Sequence, residues 1–143
     1  SDWSSDVCYS DLRLVDFPIS TVPWFDPTKP LAQKMRDAHL KMFPGQVVDT
    51  NTVYSFEGML ICADAYKRAG TTAPQALAQA MRATNIKANA SLSDGISFDE
   101  KGQNNGLKIA GIQNVGGTTK LVIPVASSEQ KPTFPMPSWQ SRG

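Results

Sequence analysis

The chain has 143 residues, of which 41% are hydrophobic and 19% charged, and its formal net charge is +1. That length is enough for one domain with a hydrophobic core, and the composition is typical of globular proteins. No apolar run approaches the ~18 residues that a membrane-spanning helix needs. The small net charge does not indicate nucleic-acid binding, and the polar, acidic start of the chain contains no secretory signal.

The first twelve residues resemble a translated sequencing adapter. One reading frame of a common adapter gives DWSSDVCSSDL, and the chain matches that string from its second residue except at Tyr9. We therefore exclude Ser1–Leu12 from the fold and expect Trp3 and Cys8 to carry no function. The sequence is then expected to be a metagenomic fragment, in which residues 13–143 are the C-terminal portion of a longer protein.

The next segments predict one strand and one helix. Mixed apolar residues at Arg13–Thr21 indicate a strand, which a proline-rich loop follows. Apolar residues at helical spacing predict a helix from about Leu31 to Phe43, and Pro44–Gly45 ends it.

Two further helices follow. The first is predicted from about Val53 to Ala69, after three possible N-caps: Thr50, Asn51 and Thr52. Two adjacent apolar rows predict that this helix is largely buried; they contain Phe56, Leu60 and Ala63, and Met59, Cys62 and Tyr66. A shorter helix begins near Pro74, where Thr72 and Gln75 have the spacing of a capping box.

The pattern changes to strands after Asn85. Apolar and polar residues alternate at Gly95–Asp99, and two longer strand candidates lie at Leu107–Val115 and Lys120–Val125. Gly116–Thr119 between them predicts a hairpin. Helices and strands in this order indicate an α/β protein.

Few residues could carry catalysis or bind a metal. His39 is the single histidine and lies beside the apolar stripe of its helix, which indicates a half-exposed structural residue. Cys62 has apolar neighbours and is expected to act as a small buried hydrophobe. The acidic turn Asp99–Asn104 lacks the ligand spacing of a calcium loop. We therefore expect no enzyme, no metal site and no cofactor.

Several short motifs occur in an informative order: Ala63–Gly70, Ala76–Met81, Gly95–Asn104, Ile112–Gln113, Val122–Pro124 and Pro135–Trp139. The first resembles a helix that ends in A-x-x-x-A-G, and the third resembles G-x-(I/V)-x-F-D-E-x-G-(Q/D)-N. The last matches a P-x-P-x-W tail. Taken together over Arg13–Trp139, the set resembles type I periplasmic solute-binding proteins of branched-chain amino acid ABC transporters.

The resemblance implies a partial α/β fold of the periplasmic-binding-protein type I class, with pieces of both lobes of a two-lobed protein. It implies that the protein binds an amino acid or similar small polar solute in the cleft between lobes and delivers it to a membrane permease. The location implied is the periplasm, or the cell surface as an extracellular lipoprotein. By the same resemblance, the chain would cross between lobes near Val47–Asp49.

The resemblance also places two residues of this chain at the cleft. The segment before the long helix lines the cleft in family members, and it falls on Asn51 with Tyr54 one turn later. A helix N-terminus offers free N–H groups, and an amide and a phenol can fix a polar ligand. The alternative is that Asn51 acts only as an N-cap and that Tyr54 contributes only to packing. Branched-chain binders have an aromatic residue where Asn51 stands, which leaves the identity of the solute open.

A second class of function is compatible with the same fold. Ligand-sensing regulatory domains and receptor ectodomains also use it, without delivering their ligand to a permease. The gene sequence upstream would separate the two, because a signal peptide indicates transport and a fused output domain indicates sensing.

Overall fold

The computed structural model describes residues 16–138 and 140. The described chain divides into two compact units, residues 23–109 (the helical unit) and residues 16–22 with 110–138 and 140 (the sheet unit). The boundaries between the units lie at residues 22/23 and 109/110, and all three helices belong to one unit. The crossing between lobes near Val47–Asp49 stays a prediction. Ser1–Leu12, for which we predicted an adapter origin, and Trp139 of the tail motif lie outside the described residues.

The helical unit contains three helices: α1 at Pro30–Met42, α2 at Thr50–Ala69 and α3 at Pro74–Arg82. Proline opens α1 and α3, at a position where its missing N–H has no intrahelical partner to lose. Gly70 ends α2 with φ +64°, the left-handed conformation that glycine adopts without strain. The three helices are therefore confirmed, and the start of α2 lies three residues before its predicted position. None of the helices in residues 16–138 is long and apolar enough to cross a membrane.

Two of the predicted helix starts are wrong in detail. The N-cap of α2 is Asp49 and not one of the three polar residues that follow it, because the Asp49 carboxylate reaches the N–H of Thr52. The N-cap of α3 is Ala73, which makes no side-chain cap, so the capping box from Thr72 to Gln75 does not form.

The prediction that α2 is largely buried through two apolar rows is also wrong. Its buried residues are Val53, Glu57 and Ala65. Met59 is 71% exposed and Tyr66 is 50% exposed. The inward face is marked by a carboxylate that has hydrogen-bond partners rather than by the most apolar side chains, so hydrophobicity alone indicated the wrong face.

The core of the helical unit is formed by α2 and α3, which pack together, with residues from α1 and from the segments before α1 and after α3. Its buried apolar residues are Trp24, Phe25, Ala32, Met35, Val48, Val53, Ala65, Ala80, Ala90, Leu92 and Ile96. Two backbone hydrogen bonds attach residues 24–26 to the loop of residues 87–93: the Asp26 N–H donates to Ala90 O at 2.8 Å, and the Leu92 N–H donates to Trp24 O at 3.0 Å. Two short strands, β2 at Asn85–Ile86 and β3 at Ile96–Ser97, then pair antiparallel.

Gly95 immediately precedes β3 and has φ +141°, where residues with a side chain are strained. A Cβ there would lie 2.9 Å from the backbone oxygen of Ile86. We expect Gly95→Ala to destabilise the protein by about 2 kcal/mol. Urea unfolding followed by circular dichroism measures the effect.

Gly58 supplies the matched control for that experiment. It lies exposed within α2, and a Cβ there would meet nothing within 4 Å. Because glycine is unfavourable within a helix, Gly58→Ala is expected to stabilise the protein by about 1 kcal/mol. Equal stabilities for the two variants would contradict the strain at Gly95.

The sheet unit is built on β1 at Ile19–Pro23, β4 at Ile109–Val115 and β5 at Thr118–Ile123, in the order β1-β4-β5. β4 and β5 form the predicted hairpin, but its turn is only Gly116–Gly117, with φ +60° and +73°. Two consecutive positive φ values are typical of a type I′ turn, which suits the twist of paired strands.

Gln113 fixes the C-terminal segment to this sheet. Its side chain is 1% exposed, and its amide nitrogen donates to Phe17 O at 2.7 Å and Thr133 O at 3.1 Å. Its amide oxygen accepts from the Thr133 N–H at 2.8 Å. Both ends of the buried amide have partners, so the segment at Thr133 is held by β4.

Candidate functional site at the start of α2

The start of α2 is organised by Asp49. Its Oδ1 accepts from the Thr52 N–H at 2.8 Å and from the Thr52 hydroxyl at 2.9 Å. The Thr50 hydroxyl donates to Pro23 O at 3.2 Å, which ties this end of the helix to the start of the helical unit. These bonds fix the backbone from which the two predicted ligand-binding residues project.

Asn51 and Tyr54 are both exposed in the described structure. Tyr54 is 46% exposed, and Asn51 makes one long hydrogen bond, from its Nδ2 to Asp49 Oδ2 at 3.4 Å. Residues three apart in a helix lie on the same face, so the amide and the phenol are neighbours. Asn51 is not the N-cap and Tyr54 is not a core residue, which leaves both side chains accessible to a ligand.

A negative charge already occupies this helix end. Burial raises the pKa of the Asp49 carboxyl, but hydrogen bonds from Thr52 and Asn51 outweigh it and hold the pKa below its usual value. The ionised carboxylate offsets the positive end of the α2 dipole. The site therefore favours a neutral polar group or an ammonium and disfavours a ligand carboxylate.

Because folding lowers the pKa of Asp49, its charged form adds stability above its unfolded pKa, and that stability is lost as pH falls through the folded pKa. Asp49→Asn keeps a capping oxygen and removes the charge, so we expect it to flatten the decline in melting temperature below about pH 4. Asp49→Ala removes the cap as well and is expected to cost about 1 kcal/mol at pH 7. If the Asp49→Asn variant and the parent chain lose stability in parallel from pH 6 to pH 3, the assignment of this pH dependence to Asp49 is wrong.

A buried polar cluster that no sequence motif indicates lies elsewhere in the helical unit. The Lys29 ammonium donates to Asn89 Oδ1 at 2.8 Å, Ser91 O at 2.7 Å and Ser93 O at 2.6 Å. Desolvation lowers the pKa of Lys29. The carboxylates of Asp26 and, more weakly, Glu57 raise this pKa, but the effect of desolvation is larger. All three ammonium protons have acceptors, so the lysine is structural rather than reactive.

Glu57 of α2 holds the same loop from another side. Its Oε1 accepts from the Ala90 N–H at 3.0 Å and from the Ser91 N–H at 2.7 Å, and the residue is 7% exposed. The available sequence signal was that Glu57 is the one charged residue between Val53 and Ala63. Its partners lie more than thirty residues away, and no local pattern indicates them.

Asn51 and Tyr54 line neither of two cavities found in the helical unit. One of about 400 Å³ is bordered by Lys29, Pro30, Leu31, Lys34, Lys87, Ala88 and Asn89. The other, of about 310 Å³, lies between α1 and α2 and is bordered mainly by apolar side chains together with Lys34, His39 and Thr52. Within residues 16–138 and 140, no three His, Cys, Asp or Glu side chains are grouped so that they could hold a metal ion.

No family model and no curated protein matches this chain. The fold is nevertheless that of the type I periplasmic-binding proteins, represented in part. A solved structure with this fold, the leucine-binding protein LivK of Thermotoga maritima, superposes with a TM-score of 0.63 over 75% of the chain at 19% identity. The chain spans 30% of the length of that protein.

The superposition confirms the predicted fold class, an α/β fold of the periplasmic-binding-protein type I class in partial form. The neighbour is named as a leucine-binding protein. The assignment of Asn51 and Tyr54 to a ligand site stays a prediction.

Proposed function

We propose that this chain is the C-terminal portion of a two-lobed, extracytoplasmic solute-binding protein. In this proposal the protein binds an amino acid or similar small polar solute between its lobes and delivers it to the permease of an ABC transporter. The observation that carries the proposal is the superposition on a leucine-binding protein over 75% of the chain. The order of sequence motifs over Arg13–Trp139 supports it independently.

Asn51 and Tyr54 are the proposed ligand contacts within the chain. Three observations support them: they share one face of α2, both are exposed, and Asp49 performs the capping that would otherwise occupy Asn51. Asp49 Oδ2 accepts a long hydrogen bond of 3.4 Å from the Asn51 amide, and a carboxylate can accept further hydrogen bonds from a ligand. The group of the solute that meets this helix end is therefore proposed to be its ammonium or a polar side chain, with its carboxylate held elsewhere.

The test is calorimetric binding of a panel of amino acids, beginning with leucine, to the protein encoded by the full gene from which the chain derives. Asn51→Ala is expected to weaken the best-bound amino acid about tenfold, because a polar contact is lost. Tyr54→Ala is expected to weaken it by a similar factor through loss of the ring contact.

Tyr66→Ala is the matched control, because Tyr66 belongs to the same helix and is 50% exposed against 46% for Tyr54. It should leave the affinity unchanged. If Asn51→Ala lowers only the melting temperature, or if both tyrosine variants weaken binding equally, the site assignment fails. Absence of binding by any member of the panel would count against an amino acid as the solute.

The alternative function, a ligand-sensing domain of the same fold, predicts a different gene structure. Transport predicts a signal peptide or lipoprotein signal upstream of Arg13 and a permease gene nearby. Sensing predicts a fused output domain or a regulatory operon. Recovery of the intact gene from the source DNA separates the two, and an in-frame native continuation through Ser1–Leu12 would overturn the adapter interpretation.

A further inference from the structure

We draw no further inference here: the strongest candidate, the apolar groove between α1 and α2 that is lined by Leu31, Met35, Ala38, Met42, Phe43 and Phe56, carries nothing because the chain spans only 30% of the length of its structural neighbour and nothing in the structure shows what covers this face.

Discussion

Glu57→Ala is expected to destabilise the helical unit by about 3 kcal/mol, since it removes one acceptor from two buried N–H groups. Both donors lie in the loop of residues 87–93, where Ala90 is fully buried and Ser91 is 2% exposed. Water does not reach these N–H groups, and the shortened side chain leaves them without this acceptor. The loop also forms backbone hydrogen bonds with residues 24–26. If the loop becomes less ordered in the Glu57→Ala variant, the start of the helical unit is expected to become less ordered as well.

The measurement is urea unfolding followed by the fluorescence of Trp24, which is 5% exposed in this unit. Replacing the other two tryptophans, Trp3 and Trp139, by phenylalanine leaves Trp24 as a single reporter. Glu57→Gln keeps one oxygen in place and is expected to lose less than the alanine variant, because only the charge assistance is removed. Glu100→Ala, at an exposed turn, is the control and should change little. Equal stability of the Glu57→Ala variant and the parent chain would show that the loop of residues 87–93 does not need its hydrogen bonds to Glu57.

Helix positions could be predicted from the sequence because their signals are local. Pro74 and Gly70 each fix a helix end through their own backbone geometry, and the structure starts α3 and ends α2 there. The helix predicted from about Leu31 by its apolar spacing starts one residue earlier, at Pro30. The Gly116–Gly117 turn is a local signal of the same kind, and it is two residues long because both glycines take positive φ. These elements depend on residues within four positions along the chain, so the local sequence is enough to predict them.

The orientation of α2 could not be predicted in the same way. Its inward face is decided by Glu57, whose partners at Ala90 and Ser91 are distant in sequence. Hydrophobic periodicity therefore favoured the face that carries Met59 and Tyr66, which the structure leaves exposed. The choice of Asp49 as N-cap over its polar neighbours likewise depends on which residue adopts extended backbone, at φ −117° and ψ −179°.

The candidate site shows the same division. Its place at the start of α2 came from motif order, and the structure confirms a helix that begins there with Asn51 and Tyr54 exposed. The negative charge at this helix end comes from Asp49, which sequence spacing did not single out. Asp49 could have been found only from the backbone conformation that makes it the N-cap, and the sequence does not show that conformation.

Asn89→Ala is expected to destabilise the helical unit by about 3 kcal/mol, as much as the loss of Glu57, because the buried amide is the centre of the polar cluster. Asn89 is 2% exposed. Its Nδ2 donates to Ser93 Oγ at 2.6 Å and Ser91 Oγ at 3.1 Å, and to the backbone oxygens of both serines at 3.2 Å. Its Oδ1 accepts from Lys29. Alanine leaves a polar void. The hydrogen bond between the hydroxyl groups of Ser91 and Ser93, at 2.9 Å, remains, but both serines lose their hydrogen bonds from the Asn89 amide.

A double-mutant cycle separates the role of Asn89 from that of Lys29. Lys29→Met keeps the apolar stem and removes the ammonium, and its cost is expected to be smaller because Asn89 still donates to Ser91 O and Ser93 O. Since the two side chains share these acceptors and bond to each other, the double variant is expected to lose less than the sum, with a coupling of about 1 kcal/mol. Asn105→Ala, an exposed amide that bonds Asp99, serves as the control and should cost far less than Asn89→Ala. Additive losses would mean that Lys29 and Asn89 hold the loop independently, and a neutral Asn89→Ala variant would mean that the cluster does not stabilise the fold.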